Sequence, residues 1–164
     1  DKQRPMTAAE LKRLFEGPEF AAFAADPAQV HRYWLPLIGL YTGARVNEVC
    51  QLNPQTDIVE EEGVWCFHFT DRTEADDRIR KSIKNKASRR LCPIHSELIR
   101  RGFLDYAQQV KGSGSRLLFP PEWFPDFAPK ARSASENPVT WFREFLGAIG
   151  LRDETPGARL VGYH

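Results

Sequence analysis

The sequence contains few sulfur-bearing residues and no long apolar run. Its 164 residues include three scattered cysteines, Cys50, Cys66 and Cys92, and one methionine. This set argues against a disulfide scaffold and favours the reduced thiols of a cytoplasmic protein. The N-terminal DKQRPMTAAE lacks the apolar run of a signal peptide, and YWLPLIGLY (33–41) is far shorter than the roughly 20 apolar residues that span a bilayer. We therefore expect a cytoplasmic protein without a membrane partner.

The ligand clusters of metal and nucleotide sites are also missing. Cys92 and His95 form a single C-x-x-H, while His31 and His68 are scattered, so we interpret these residues as structural and expect no metal or other cofactor. The glycine-containing stretch KGSGS (111–115) follows a predicted helix and lacks the G-K-[ST] of a phosphate loop, which indicates a turn. We expect no small-molecule substrate.

Acidic residues are absent from RIRKSIKNKASRR (78–90), which carries seven cations. The asymmetry extends to the whole chain. Residues 1–77 contain 7 Lys/Arg and 14 Asp/Glu, whereas residues 78–164 contain 16 and 8, although the net charge is only +1. A polyanionic partner would explain such a cluster. The alternative, which the run by itself favours, is a solvated charged hairpin.

Apolar residues at helical spacing predict four helices in the first third of the chain. Thr7 and Glu10 form a capping box that starts the first helix, and Gly17 with Pro18 ends it. The helices predicted after it span 19–25, 28–41 and 45–52.

After Asp57 the apolar period becomes that of strands. Segments 64–69, 79–84 and 90–94 predict a three-stranded antiparallel meander. Helices are predicted at 96–110 and from Pro138 onward, with Trp141 and Phe145 in the core and Trp123 and Phe127 exposed on the proline-rich stretch between the two helices. The sequence thus predicts a mostly helical α+β domain with a small three-stranded sheet.

Arg45 lies at the start of a predicted helix, three residues before Glu48. Free amides and the helix dipole favour an anion there, and the planar guanidinium matches two oxygens of a phosphate. Glu48 would hold the guanidinium in one pose. The alternative is a surface salt bridge that contributes little, and this stretch by itself does not separate the two interpretations.

Three motifs together resemble the tyrosine recombinases, the phage integrase family. TGARVNEVCQL (42–52) is similar to the motif of the family's first arginine, KNKASRRLCPIH (84–95) resembles its lysine-bearing β-hairpin, and GYH (162–164) resembles the start of its H-x-x-R motif. They occur in the family's order and cover most of the chain. The resemblance implies a recombinase catalytic domain that acts on double-stranded DNA in the nucleoid, as a homotetramer and without a metal.

The resemblance also implies roles for individual residues. In the family, a tyrosine attacks a DNA phosphate to give a 3′-phosphotyrosine. Arg45 matches the first arginine of the clamp on the phosphate oxygens, with Glu48 supporting it. Lys84 matches the general acid that protonates the leaving 5′-oxygen, with Lys86 as the rival, and His164 matches the histidine that assists proton transfer or binds the phosphate. Other phosphate contacts are assigned to Arg78, Arg80, Lys81, Lys86, Arg89 and Arg90.

Several family residues have no match in the 164 residues. We expect the second arginine, the second histidine or tryptophan and the tyrosine nucleophile beyond His164, because none of the four tyrosines occupies the nucleophile's place. Residues 1–164 are thus expected to form a single domain, the N-terminal part of a catalytic domain without the core-binding domain, and to be inactive alone. The alternatives are an inactive DNA-binding module of the same fold, decayed or regulatory, and a relative of the type IB topoisomerases.

Overall fold

The structure, a computed structural model, describes residues 3–71, 81, 89–120, 123, 136–151 and 159–160. These residues form the predicted α+β architecture, with helices outnumbering a small sheet. The elements, in chain order, are β1 (Gln3–Arg4), α1 (Ala8–Glu16), α2 (Pro18–Ala25), α3 (His31–Thr42), α4 (Val46–Cys50), β2 (Ile58–Glu61), β3 (Val64–Phe69), β4 (Arg90–Pro93), α5 (Ser96–Arg100), α6 (Phe103–Gly112), α7 (Glu136–Ala148) and β5 (Arg159–Leu160).

The helices of the N-terminal third follow the predicted boundaries closely. At α1 the Glu10 amide donates to Thr7 Oγ1 at 3.1 Å and the Thr7 amide donates to Glu10 Oε1 at 2.9 Å, which confirms the capping box. α2 begins one residue before its predicted start, at Pro18. α3 begins at His31, three residues after the predicted start, and ends at Thr42, where Gly43 caps it in the left-handed region (φ 67°).

The main sheet has the strand order β2–β3–β4, with both pairs antiparallel. The small three-stranded antiparallel sheet is as predicted, but it includes a strand that was not predicted. β2 was not predicted, and β3 pairs directly with β4, so that residues 70–89 form the connection between them. The strand predicted at 79–84 lies outside the described residues except for Lys81, which is not in a strand.

The helix predicted at 96–110 is interrupted. Gly102 adopts a left-handed conformation (φ 94°) and separates α5 from α6. A residue with a side chain rarely adopts this conformation, whereas glycine does so at little cost, so the chain can change direction here. α7 also begins two residues before the predicted Pro138.

The core is built around α3. Its Leu35, Leu37 and Ile38 are fully buried. On one side Phe67 of β3 packs against Phe103 of α6, with ring centroids 5.4 Å apart.

On another side of the core, α2 contacts α7. Phe23 lies 5.1 Å from Phe145 and 5.8 Å from Trp141, which confirms the core positions predicted for both α7 residues. Trp123 was wrongly predicted to be exposed: it is buried and its ring lies 4.4 Å from that of His31. Phe127 lies outside the described residues.

A second, two-stranded element joins distant parts of the sequence. β1 pairs with β5 in parallel, with Gln3 opposite Arg159 and Arg4 opposite Leu160. Arg4 also donates to both carboxylate oxygens of Glu10, at 2.7 and 2.9 Å, so β1 is tied to the start of α1. Within the described part of the chain, no helix is long and apolar enough to cross a membrane.

Candidate nucleic-acid interface

A buried carboxylate, that of Glu48, joins two of the predicted motifs. Glu48 is 5% exposed. Its Oε1 accepts the main-chain N–H of Arg45 at 2.9 Å, and its Oε2 accepts Nη1 of Arg90, also at 2.9 Å. Arg90 lies 42 positions further along the chain, on the strand that follows the basic connection. The first-arginine motif and the end of the lysine-bearing motif therefore meet at this carboxylate.

Arg45 is the N-cap of α4 and is exposed. Its neighbours Ala44 and Val46 are buried, which fixes the main chain on both sides of it. Among the described residues, no carboxylate lies within ion-pair distance of the Arg45 guanidinium. One element of the prediction was wrong, because Glu48 binds the main chain of Arg45 and does not hold its guanidinium. α4 has only five residues, so its dipole is smaller than that of the predicted helix.

Arg90 is held by two kinds of contact. Its guanidinium carbon lies 4.7 Å from the centre of the buried Phe69 ring, a cation–π distance, while two of its nitrogens bond Glu48. The hydrogen bond to Glu48 raises the pKa of Arg90, against the effect of burial. The side chain remains 37% exposed. A guanidinium that is fixed and still partly exposed is suited to binding an anionic oxygen with little loss of side-chain entropy.

Burial by itself would raise the pKa of Glu48, but the hydrogen bonds from Arg90 and from the Arg45 amide outweigh it, and the net shift is downward. A carboxyl group with a lowered folded-state pKa stabilises the fold above its unfolded-state pKa, here about 4.5, and loses that contribution as the pH falls through the folded-state value. Glu48 therefore stabilises the fold at neutral pH as a carboxylate.

We predict that Glu48→Gln lowers the free energy of unfolding at pH 7 by about 1–3 kcal/mol, because it removes the buried carboxylate that binds Arg90. The measurement is urea denaturation of both proteins between pH 7 and pH 3. The difference should shrink below about pH 4.5, where Glu48 itself becomes protonated. Glu19→Gln is the matched control, since the Glu19–Arg13 pair is solvent-exposed and should contribute little. Equal effects of the two variants would contradict the structural role of Glu48.

Arg89 closes the base of the connection between β3 and β4. Its Nε lies 2.8 Å from Oδ1 of Asp71, and both side chains are accessible to solvent. This ion pair raises the pKa of Arg89. Because exposed pairs of this kind contribute little to stability, a phosphate could replace Asp71 as the partner of Arg89.

Lys81 lies in a different environment from the predicted one. It was assigned to phosphate contacts, but the structure buries it and places its Nζ 2.5 Å from Oδ2 of Asp57. Asp57 belongs to the turn between α4 and β2. The Lys81 ammonium thus faces the interior, where it pairs with the Asp57 carboxylate.

The other predicted site residues lie outside the described residues, so their placement stays a prediction. They are Lys84, Lys86, Arg78, Arg80 and His164. Within the described ranges, no three His, Cys, Asp or Glu side chains lie close enough together to hold a metal ion. His95, considered above with Cys92, caps α5 through Nδ1, which accepts the Glu97 amide at 2.9 Å.

Burial makes the Tyr106 hydroxyl and the Cys50 thiol poor nucleophiles. The Tyr106 hydroxyl donates to the Leu118 carbonyl at 2.6 Å, and burial raises its pKa. The Tyr33 hydroxyl accepts from Arg101 at 2.8 Å. Burial also raises the pKa of the Cys50 thiol. These groups serve the packing of the domain.

Sequence reasoning did not identify Asp57, Asp71 or Phe69 as residues of this region. Asp71 directly precedes the connection and Phe69 ends a predicted strand, so the register of β3 with β4 would have placed both opposite the arginines. No local signal marked Asp57, because its partner lies 24 positions away.

Comparisons of the chain with protein-family models, with curated proteins and with solved structures gave no match.

Proposed function

We propose that this chain belongs to the catalytic domain of a tyrosine-type site-specific DNA recombinase. The observation that carries the proposal is the meeting of Arg45 and Arg90 at Glu48. The two motifs that resemble the family lie far apart in sequence, and a recombinase requires them to flank one DNA phosphate.

The proposed reaction is a phosphoryl transfer from the 5′-oxygen of DNA to a tyrosine oxygen. A tyrosine oxygen forms a bond to a DNA phosphorus, the bond from that phosphorus to the 5′-oxygen breaks, and Lys84 gives a proton to the departing oxygen. His164 assists the loss of the tyrosine proton. Rejoining is the reverse reaction with the 5′-hydroxyl of a different strand, so no energy source is consumed and no metal is needed.

Arg45 supplies the electrostatic part of this chemistry. The phosphorus passes through a crowded state with additional negative charge on its non-bridging oxygens. A fixed cation that matches this geometry lowers the barrier more than it stabilises bound DNA. Two observations support this role: the Arg45 side chain is exposed, and its main chain is held by the hydrogen bond to Glu48.

Arg89 and Arg90 contribute to the affinity for the DNA backbone. Both lie at the start of β4 and both remain accessible to solvent. Contacts of this kind to the DNA backbone are strongly salt-dependent and carry little sequence information. The choice of DNA sequence therefore depends on other parts of the full-length protein.

The test is covalent trapping. We expect the full-length protein, incubated with a nicked duplex that loses its 5′-fragment on cleavage, to form a DNA adduct that survives denaturation and is unaffected by EDTA. Digestion should leave a phosphotyrosine at the 3′ end. The protein could instead bind duplex DNA and form no adduct on any sequence that it protects. That result would support an inactive DNA-binding module of the same fold.

A further inference from the structure

Two neighbouring arginines, Arg89 and Arg90, have carboxylate partners that differ in burial. The side chain of Glu48, which binds Arg90, is 4% exposed, whereas that of Asp71, which binds Arg89, is 33% exposed. Removal of the cation from a buried carboxylate leaves an unpaired charge away from water, whereas an exposed carboxylate regains its hydration. Of the two arginines, Arg89 is therefore the one that can change partners with little loss of free energy.

The sheet fixes the place of the Asp71–Arg89 pair. Phe69 and Arg90 are opposite each other in the antiparallel pairing of β3 and β4, and Asp71 and Arg89 lie just beyond them. Nε of Arg89 is 2.8 Å from Oδ1 of Asp71, and the Arg89 side chain is 48% exposed. The pair thus places a negative charge at the start of β4, where Arg90, the next residue, also has a partly exposed guanidinium.

We infer that Asp71 competes with the DNA phosphates for Arg89 and thereby weakens sequence-independent binding of duplex DNA. The inference rests on the part of the proposed function in which Arg89 contacts the DNA backbone. In the free protein the Arg89 guanidinium donates to the Asp71 carboxylate, and in the complex it donates to a phosphate oxygen. The exchange changes the hydrogen-bond acceptor of Arg89 and no covalent bond.

Two effects of Asp71 oppose DNA binding. The hydrogen bond between Arg89 and Asp71 must first break, which removes the free energy that this exposed pair contributes. The released carboxylate then lies close to the phosphate that Arg89 has bound, and like charges at short range repel. Because binding to DNA of any sequence depends on such phosphate contacts, both effects act on every duplex. Removal of the Asp71 charge should therefore strengthen binding.

The experiment measures the dissociation constant of the full-length protein for a fluorescent duplex of random sequence, by anisotropy over a range of salt concentrations. We expect Asp71→Asn to bind about two- to fivefold more tightly at low salt, the factor that corresponds to one exposed ion pair. The difference should disappear at high salt, where exposed charges are screened. Glu19→Gln is the matched control. It makes the same change of charge in the exposed pair of Glu19 with Arg13, outside the proposed interface, and should leave the dissociation constant nearly unchanged.

The double variant, Asp71→Asn with Arg89→Ala, shows whether Asp71 acts through Arg89. Arg89→Ala by itself should bind more weakly than the wild type, and adding Asp71→Asn to it should have no larger effect than Glu19→Gln. An equal gain with and without Arg89 would overturn the inference, because it would reflect only the loss of one negative charge. A single Asp71→Asn variant that binds no more tightly than Glu19→Gln would also overturn it.

The covalent-trapping assay separates these results from a failure of the proposed function. If the wild type forms the DNA adduct, either negative result for Asp71 overturns the inference and leaves the proposed function standing. A wild type that binds duplex DNA without forming an adduct, and in which Asp71 acts through Arg89 as expected, overturns the proposed reaction and supports the inference.

Discussion

Arg45→Ala in the full-length protein should reduce the rate of covalent DNA attachment by about 10²- to 10³-fold, the usual cost of removing one charged or hydrogen-bonding group from a site of developing charge. The fold should be unaffected. The guanidinium is exposed and its loss opens no cavity, while the Arg45 main chain, which Glu48 binds, is retained in the variant. The measurement is the rate of adduct formation on the nicked duplex, together with thermal unfolding.

Two controls sharpen the result for Arg45. Arg143→Ala removes an exposed arginine from α7 and should leave attachment unchanged. A nicked duplex with sulfur in place of the bridging 5′-oxygen, whose leaving group needs no proton, should not rescue Arg45→Ala. The role proposed for the arginine is to stabilise charge on the non-bridging oxygens and not on the leaving group. Attachment at the wild-type rate in Arg45→Ala would refute its assignment to the clamp.

Lys84→Ala should slow cleavage by about 10²- to 10⁴-fold, the range typical of a lost general acid. The defect should disappear on the sulfur substrate, since a thiolate leaves without protonation. Comparison with Lys86→Ala decides between the two lysines. Only the true acid should combine a large loss on oxygen with full rescue on sulfur.

The rival lysine serves as the internal control. Lys86→Ala should weaken binding moderately and more at low salt, as expected for one lost phosphate contact. Its rates on the two substrates should change by the same factor. Rescue of Lys86→Ala and not of Lys84→Ala would move the role of general acid by two residues and leave the rest of the proposed function standing.

Local signals accounted for much of the fold. The capping box of Thr7 and Glu10 and the apolar spacing of α2 and α7 act over a few residues, so they can be recognised in the sequence. Strand β2 was missed because IVEEEG is acidic and looks like a surface loop. Its turn uses Glu62 and Gly63, both with positive φ (51° and 82°), where Asn-Gly would have been the familiar signal.

The candidate site was only partly predictable, because its contacts cross long stretches of sequence. Arg45 and Arg90 were each identified from motifs, but their common partner depends on the packing of β4 beside α4. Lys81 was predicted to contact phosphate, but it is buried. In a run of cations a lysine is normally solvated, and only the fixed anion of Asp57 makes its burial favourable.

The short parallel pair of β1 and β5 has a practical consequence for protein engineering. Leu160, four residues before His164, is held in register by Arg4, which is in turn anchored to Glu10. A truncation after Arg4 would therefore remove both the strand that pairs with β5 and the ion pair with Glu10.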